Sequence, residues 1–152
     1  MKNLYLLALV SLVCNVSNAQ TVGINDPRLK KQGLFRQLPD SIPVDINSLE
    51  ALLTLNAGSE VMIDLSLSRQ HPLKGTVIAS SEKYNGKIHA VSVRSSTPEG
   101  AVFYLSKSIH EDGRETYRGT WMHKDYADIY ALVYNGKEYA LLKKKFHDLV
   151  ME

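Results

Sequence analysis

Residues 128–143 read DIYALVYNGKEYALLK, and the architecture of the whole chain follows from this stretch. Two runs with apolar residues at their centres, Asp128 to Tyr134 and Lys137 to Lys143, flank Asn135-Gly136. Asn-Gly tolerates positive φ at both central positions of a type I′ turn, so the segment predicts a two-residue β-hairpin. Both of its faces are apolar. Ile129, Ala131 and Val133 occupy one side of the first strand and Tyr130, Leu132 and Tyr134 the other, while Ala140 and Leu142 oppose Tyr139 and Leu141 on the second. One face must meet a core and the other needs a cover. The candidates are a C-terminal helical turn at residues 146–151 carrying Phe146, Leu149, Val150 and Met151, a helical turn near residue 50, or another molecule. Cover from within the chain is the expectation, because most apolar surface is buried in the protein that carries it.

The same signals recur upstream. Val61, Ile63, Leu65 and Leu67 alternate with Met62, Asp64, Ser66 and Ser68 as in a half-buried strand. Leu73 to Glu82 and Lys87 to Arg94 flank Tyr84-Asn85-Gly86, and Ala101 to Ile109 and Glu115 to Met122 flank a longer loop containing Asp112-Gly113. Short connections forbid the long crossovers that parallel pairing needs. The expected fold is therefore all-β, an antiparallel meander of about seven strands forming a small barrel or a sandwich. Asn47 followed by Glu50 resembles a capping box ahead of Leu49, Leu52 and Leu53, which adds a short helix near residues 48–55.

Ahead of this domain the chain changes character. Met1-Lys2-Asn3 is a positive start, Leu4 to Val13 is an apolar run too short to span a bilayer, and Ser17-Asn18-Ala19 supplies small residues for a signal peptidase. Residues 1–19 read as a signal peptide, and no transmembrane segment is expected in the mature chain. The single cysteine, Cys14, lies inside that segment, so the mature chain has no disulfide. Acylation of Cys14 as a lipoprotein wants a small residue before it, and Val13 is not small. An exported protein without disulfides suits the bacterial periplasm or extracellular space. Residues 20–47, with Pro27, Pro39, Pro43 and the basic Arg28-Leu29-Lys30-Lys31, show no sustained period and read as an extended arm or linker, leaving 48–152 as the β-rich domain.

Chemistry is harder to find than architecture. With 152 residues, 44% hydrophobic and 22% charged, the composition is that of one globular domain, and a net charge of +2 provides no electrostatic case for nucleic acid. His110-Glu111 begins a zinc motif, but Arg114 stands where the second histidine belongs. Ser80-Ser81-Glu82-Lys83 has Ser-x-x-Lys spacing, yet it leads into a β-turn rather than a helix. His123, Asp125 and Asp128 could hold a divalent cation, although aspartates in loops commonly bond their own backbone. Lys143-Lys144-Lys145 reads as a solvated strand end. No cofactor is expected, and no nucleophile, base and orienting group can be assembled into an enzyme site.

Aromatic residues are the better candidates for binding. Tyr117 and Trp121 share a face with Gly119 between them, where a groove could take a peptide or a sugar ring, and Tyr130, Tyr134 and Tyr139 add amphipathic surface. Of the two readings for Trp121, a core role with Gly119 giving it room is the favoured one, because tryptophan is highly buried on average. The expected function is an exported, non-enzymatic β-module that binds a protein or carbohydrate partner in the cell envelope or outside it. A propeptide-like or inhibitory domain acting on a secreted hydrolase, and a small metal-dependent hydrolase built on His123, are the alternatives.

Overall fold

Turn chemistry sets the frame. A computed structural model describes residues 31–68 and 70–145, together with Pro27. Its strands are β1 (Ser41–Pro43), β2 (Glu60–Asp64), β3 (Pro72–Lys83), β4 (Ile88–Ser96), β5 (Glu99–Ile109), β6 (Glu115–Met122), β7 (Asp128–Tyr134) and β8 (Tyr139–Lys145), with one helix, α1 (Ile46–Leu53), between β1 and β2. From β2 to β8 each strand pairs antiparallel with its successor, as the short connections require. The sheet curls into a half-barrel, which settles the choice between barrel and sandwich in favour of a single curved sheet.

Two elements depart from the sequence expectation at the sheet's edges. The stretch expected to be an arm supplies β1, which pairs with β8 through Ser41–Leu142 and Ile42–Leu141. Phe35, Ile42 and Val44 from the same stretch are buried in the core, so its described part belongs to the folded body. The strand expected over residues 61–68 stops at Asp64, because the Asp64 carboxylate accepts from the Ser66 N–H and hydroxyl and turns the chain. Leu65 remains inward, but Leu67 is exposed. The turn brings this edge to the other one. Val44 bridges Ser66, the Asp45 N–H donates to the Leu65 carbonyl at 2.9 Å, and the Leu67 N–H donates to the Pro43 carbonyl at 3.1 Å.

Helix α1 fills the concave side. Its cap is Asp45, not Asn47: the Asp45 carboxylate accepts from the Asn47 N–H, and Glu50, required for the expected capping box, reaches inward instead. Leu49 and Leu52 are fully buried, and the helix lies against β2, β4 and β5. Inward residues of the sheet complete the core: Leu73 and Val77, Val91 and Val93, Phe103 and Leu105, then Tyr130, Leu132 and Leu141. On the opposite face of β7 and β8, Ile129, Ala131 and Ala140 are also buried, while Val133 and Leu142 are half-buried. The helical turn expected at residues 146–151, and the signal peptide, lie outside the described residues.

The hairpin at residues 134–139 differs in detail from the expectation. Tyr134 pairs with Tyr139, and the Asn135 N–H donates to the Glu138 carbonyl, so the central residues are Gly136 and Lys137. Gly136 has φ of 94°, the first-position glycine of a II′-like connection, and Asn135 serves as an acceptor for the Lys137 and Glu138 N–H groups. The β3–β4 tip is likewise wider, with Tyr84, Asn85 and Gly86 all at positive φ.

Candidate binding site

Strand β6 directs Tyr117, Gly119 and Trp121 onto the concave face, and its two aromatic residues stand in different chemical settings. Near Tyr117 the polar atoms answer one another. Lys107 Nζ lies 2.8 Å from Glu50 Oε1 and 2.8 Å from Glu115 Oε1. The Tyr117 hydroxyl donates to Glu50 and lies 3.1 Å from Glu115 Oε2, and Lys107 sits over the Tyr117 ring. Burial pushes against the charge on Glu50, but hydrogen bonds from Lys107 and Tyr117 outweigh it and hold the carboxyl below its ordinary value of 4.5. Burial opposes the Lys107 charge too, and the bonds to Glu115 and Glu50 raise its pKa regardless. For Tyr117, burial and the bond to Glu50 act together to keep the hydroxyl protonated. Tyr139 joins from β8, its hydroxyl accepting from the Tyr117 N–H at 3.1 Å.

Two inward positions further along β6, the setting is apolar. Trp121 is packed among Phe35, Phe103 and Tyr130, with ring centroids 5.3, 6.3 and 6.4 Å away. It also forms part of the wall of a cleft of about 330 Å³ between residues 34–38, residues 70–74 and the β4–β5 turn. Leu34, Phe35, Leu38, Pro72 and Pro98 supply the apolar lining. The indole Nε1–H is buried and meets no acceptor. Native structures contain few such groups, and each calls for a reason, because a buried donor without an acceptor forfeits its bond to water.

The cleft exists because residues 33–39 are tied down. Asp128 accepts from the Leu34 N–H at 2.8 Å and the Phe35 N–H at 2.6 Å. A side chain at Gly33 would collide with that carboxylate, its Cβ falling 2.6 Å from Oδ2. The Tyr130 hydroxyl donates to the Pro39 carbonyl, and Lys143 Nζ donates to the Leu38 carbonyl at 2.6 Å while pairing with Asp40. Burial, with help from the Asp40 and Asp128 charges, pushes the Tyr130 hydroxyl up to about 12.

The other sequence candidates divide accordingly. Of the five aromatic binding candidates, Tyr117, Trp121, Tyr130 and Tyr139 are buried and Tyr134 is exposed at its hairpin, its hydroxyl donating to the Gly136 carbonyl. The groove considered as the alternative over Gly119 is filled, since a Cβ there would meet the Tyr104 carbonyl at 3.0 Å and Leu132 at 3.4 Å. His123, Asp125 and Asp128 do not converge: Asp128 holds the 33–35 segment, and His123 Nδ1 accepts from the Asp125 N–H at 3.1 Å. Among the described residues no group of three or more such side chains could hold a metal, and no helix is long and apolar enough to cross a membrane. Lys143 is engaged as described, and Lys144 and Lys145 also have interactions. Sequence reading found Trp121 but not its surroundings, because Leu34, Phe35 and Leu38 sit in a stretch without periodicity. No family model, no curated protein and no solved structure matches this chain.

Proposed function

We propose that this protein is an exported, non-enzymatic module that binds another macromolecule in the bacterial cell envelope or extracellular space, and that the Trp121 cleft is its binding site. The observation that carries the reading is the buried indole N–H without an acceptor in the wall of an apolar cleft. Concave apolar sites with a few placed polar groups are the usual form of a binding pocket. Export rests on the charged start, apolar run and Ser17-Asn18-Ala19 of the leader.

The test is site-specific crosslinking in the producing bacterium. A photoreactive residue at Gln37, which lines the cleft, should trap a discrete partner, whereas one at Tyr104, exposed on the outer face of β5, should not. Equal capture from both positions, or none from Gln37, would remove the cleft from the proposal. A hydrolytic activity of the purified protein that disappears in His123→Ala would replace binding with the metal-hydrolase alternative.

A further inference from the structure

We infer that the cleft takes the C-terminal residue of a peptide chain: an apolar side chain followed by a free carboxylate. The inference rests on the binding reading above and names the partner's chemistry. Among the described residues lining the cleft there is no aspartate or glutamate. Donors are plentiful there instead. Lys74 is exposed at the rim and, among the described residues, forms no ion pair; Gln37 and Gln70 carry side-chain amides, Thr97 carries a hydroxyl and His71 an imidazole. The amides and the hydroxyl can donate or accept, but Lys74 only donates, so a ligand with an anionic oxygen beside it gains most. The walls meanwhile require an apolar body, which Leu34, Phe35, Leu38, Pro72 and Pro98 would surround.

Size narrows the class further. At about 330 Å³ the cleft lies at the lower end of ligand pockets, with room for one side chain and a terminal carboxylate rather than a long bound strand. The hollow beside α1 makes the contrast, because it is lined by Glu50 and Glu82 together with His89 and Lys107 and presents acceptors as well as donors. Charge complementarity therefore assigns the carboxylate to the Trp121 end of the half-barrel.

Trp121 is the single tryptophan of the chain, so the intrinsic indole fluorescence of the full-length protein reports on this cleft. Three probes are titrated: acetyl-Ala-Leu with a free carboxylate, the same peptide amidated at its C-terminus, and isocaproate, an apolar acid without a peptide. The free peptide should shift the emission saturably and bind about tenfold or more tighter than the amide, and Lys74→Gln should remove about tenfold of that affinity, as expected for a charge-assisted contact. Equal binding of acid and amide would overturn the carboxylate while leaving a peptide-binding cleft. Isocaproate binding as tightly as the peptide would overturn the peptide as source. No shift with any probe would overturn the inference altogether, and the Gln37 crosslinking then decides the binding reading independently.

Discussion

Tyr117 and Trp121 point the same way from the same strand, yet one ends in a closed polar network and the other in an open cleft. Around Tyr117 every strong donor meets an acceptor from a second element: Lys107 from β5, Glu115 from β6 and Glu50 from α1. That closure ties the helix to the sheet. Around Trp121 the third element is the irregular segment 33–39, which brings carbon rather than acceptors, and the indole N–H stays unmatched. The two ends of one concave face thus illustrate a general distinction. Satisfied polar groups specify a fold, while a buried unsatisfied one calls for an explanation of its own.

The largest expected effect comes from removing the wall between core and cleft. Phe35→Ala deletes a side chain that is 1% exposed and touches both Trp121 and Tyr130, and should cost about 3–5 kcal/mol in urea unfolding. A loss below about 1 kcal/mol, the size of a surface change, would mean that segment 33–39 is not part of the folded body. Next comes Lys107→Met, which leaves Glu50 and Glu115 facing each other without their cation. Those side chains are 40% and 44% exposed, so the expected loss is about 2 kcal/mol rather than that of a fully buried pair. Adding Glu50→Gln to Lys107→Met should recover part of it, and a strictly additive double variant would show that the network is not coupled.

A smaller effect follows from Tyr117→Phe, which removes the hydroxyl on Glu50 while keeping the ring, and should cost about 1 kcal/mol. Its indole emission should stay at the wild-type wavelength, because Tyr117 does not line the cleft; a shifted emission would join the two ends into one unit.

The smallest effect is the pH dependence of the melting temperature. Glu50 has a depressed folded pKa, so its contribution is complete above the ordinary 4.5 and fades as pH falls through the lower folded value. The tyrosines act in the other direction. Tyr117 and Tyr130 have raised pKa values, so their contribution is complete below the ordinary 10.0 and is lost as pH rises through the folded values, about 12 for Tyr130. Lys107, raised above 10.5, adds to this alkaline side. In Glu50→Gln the acid fall should become shallower, and an unchanged profile would show that other carboxylates carry it.

Much of this molecule was legible in one dimension. Period-two alternation and the Gly-bearing turns at residues 84–86, 112–113 and 135–136 are local properties, set by side-chain sterics and positive φ, and they establish an antiparallel meander wherever the chain is placed. The meander from β3 to β8 therefore follows from sequence alone, as does the doubly apolar character of β7. The aromatic pair on β6 was visible too, but not the difference between its members.

What long-range contact alone could settle is the closure and the site. Ser41-Ile42-Pro43 is too short to show any period, and it becomes a strand only because β8 offers a free edge from the far end of the chain. In the sequence Asp128 reads as a turn residue bonding its own backbone, with a cation beside His123 the lesser alternative; folding instead puts the distant Leu34 and Phe35 N–H groups in front of it. The Trp121 cleft arises from the same tether. Its walls come from four segments far apart in the chain, and no local rule of propensity or periodicity can register a cavity that exists only between them.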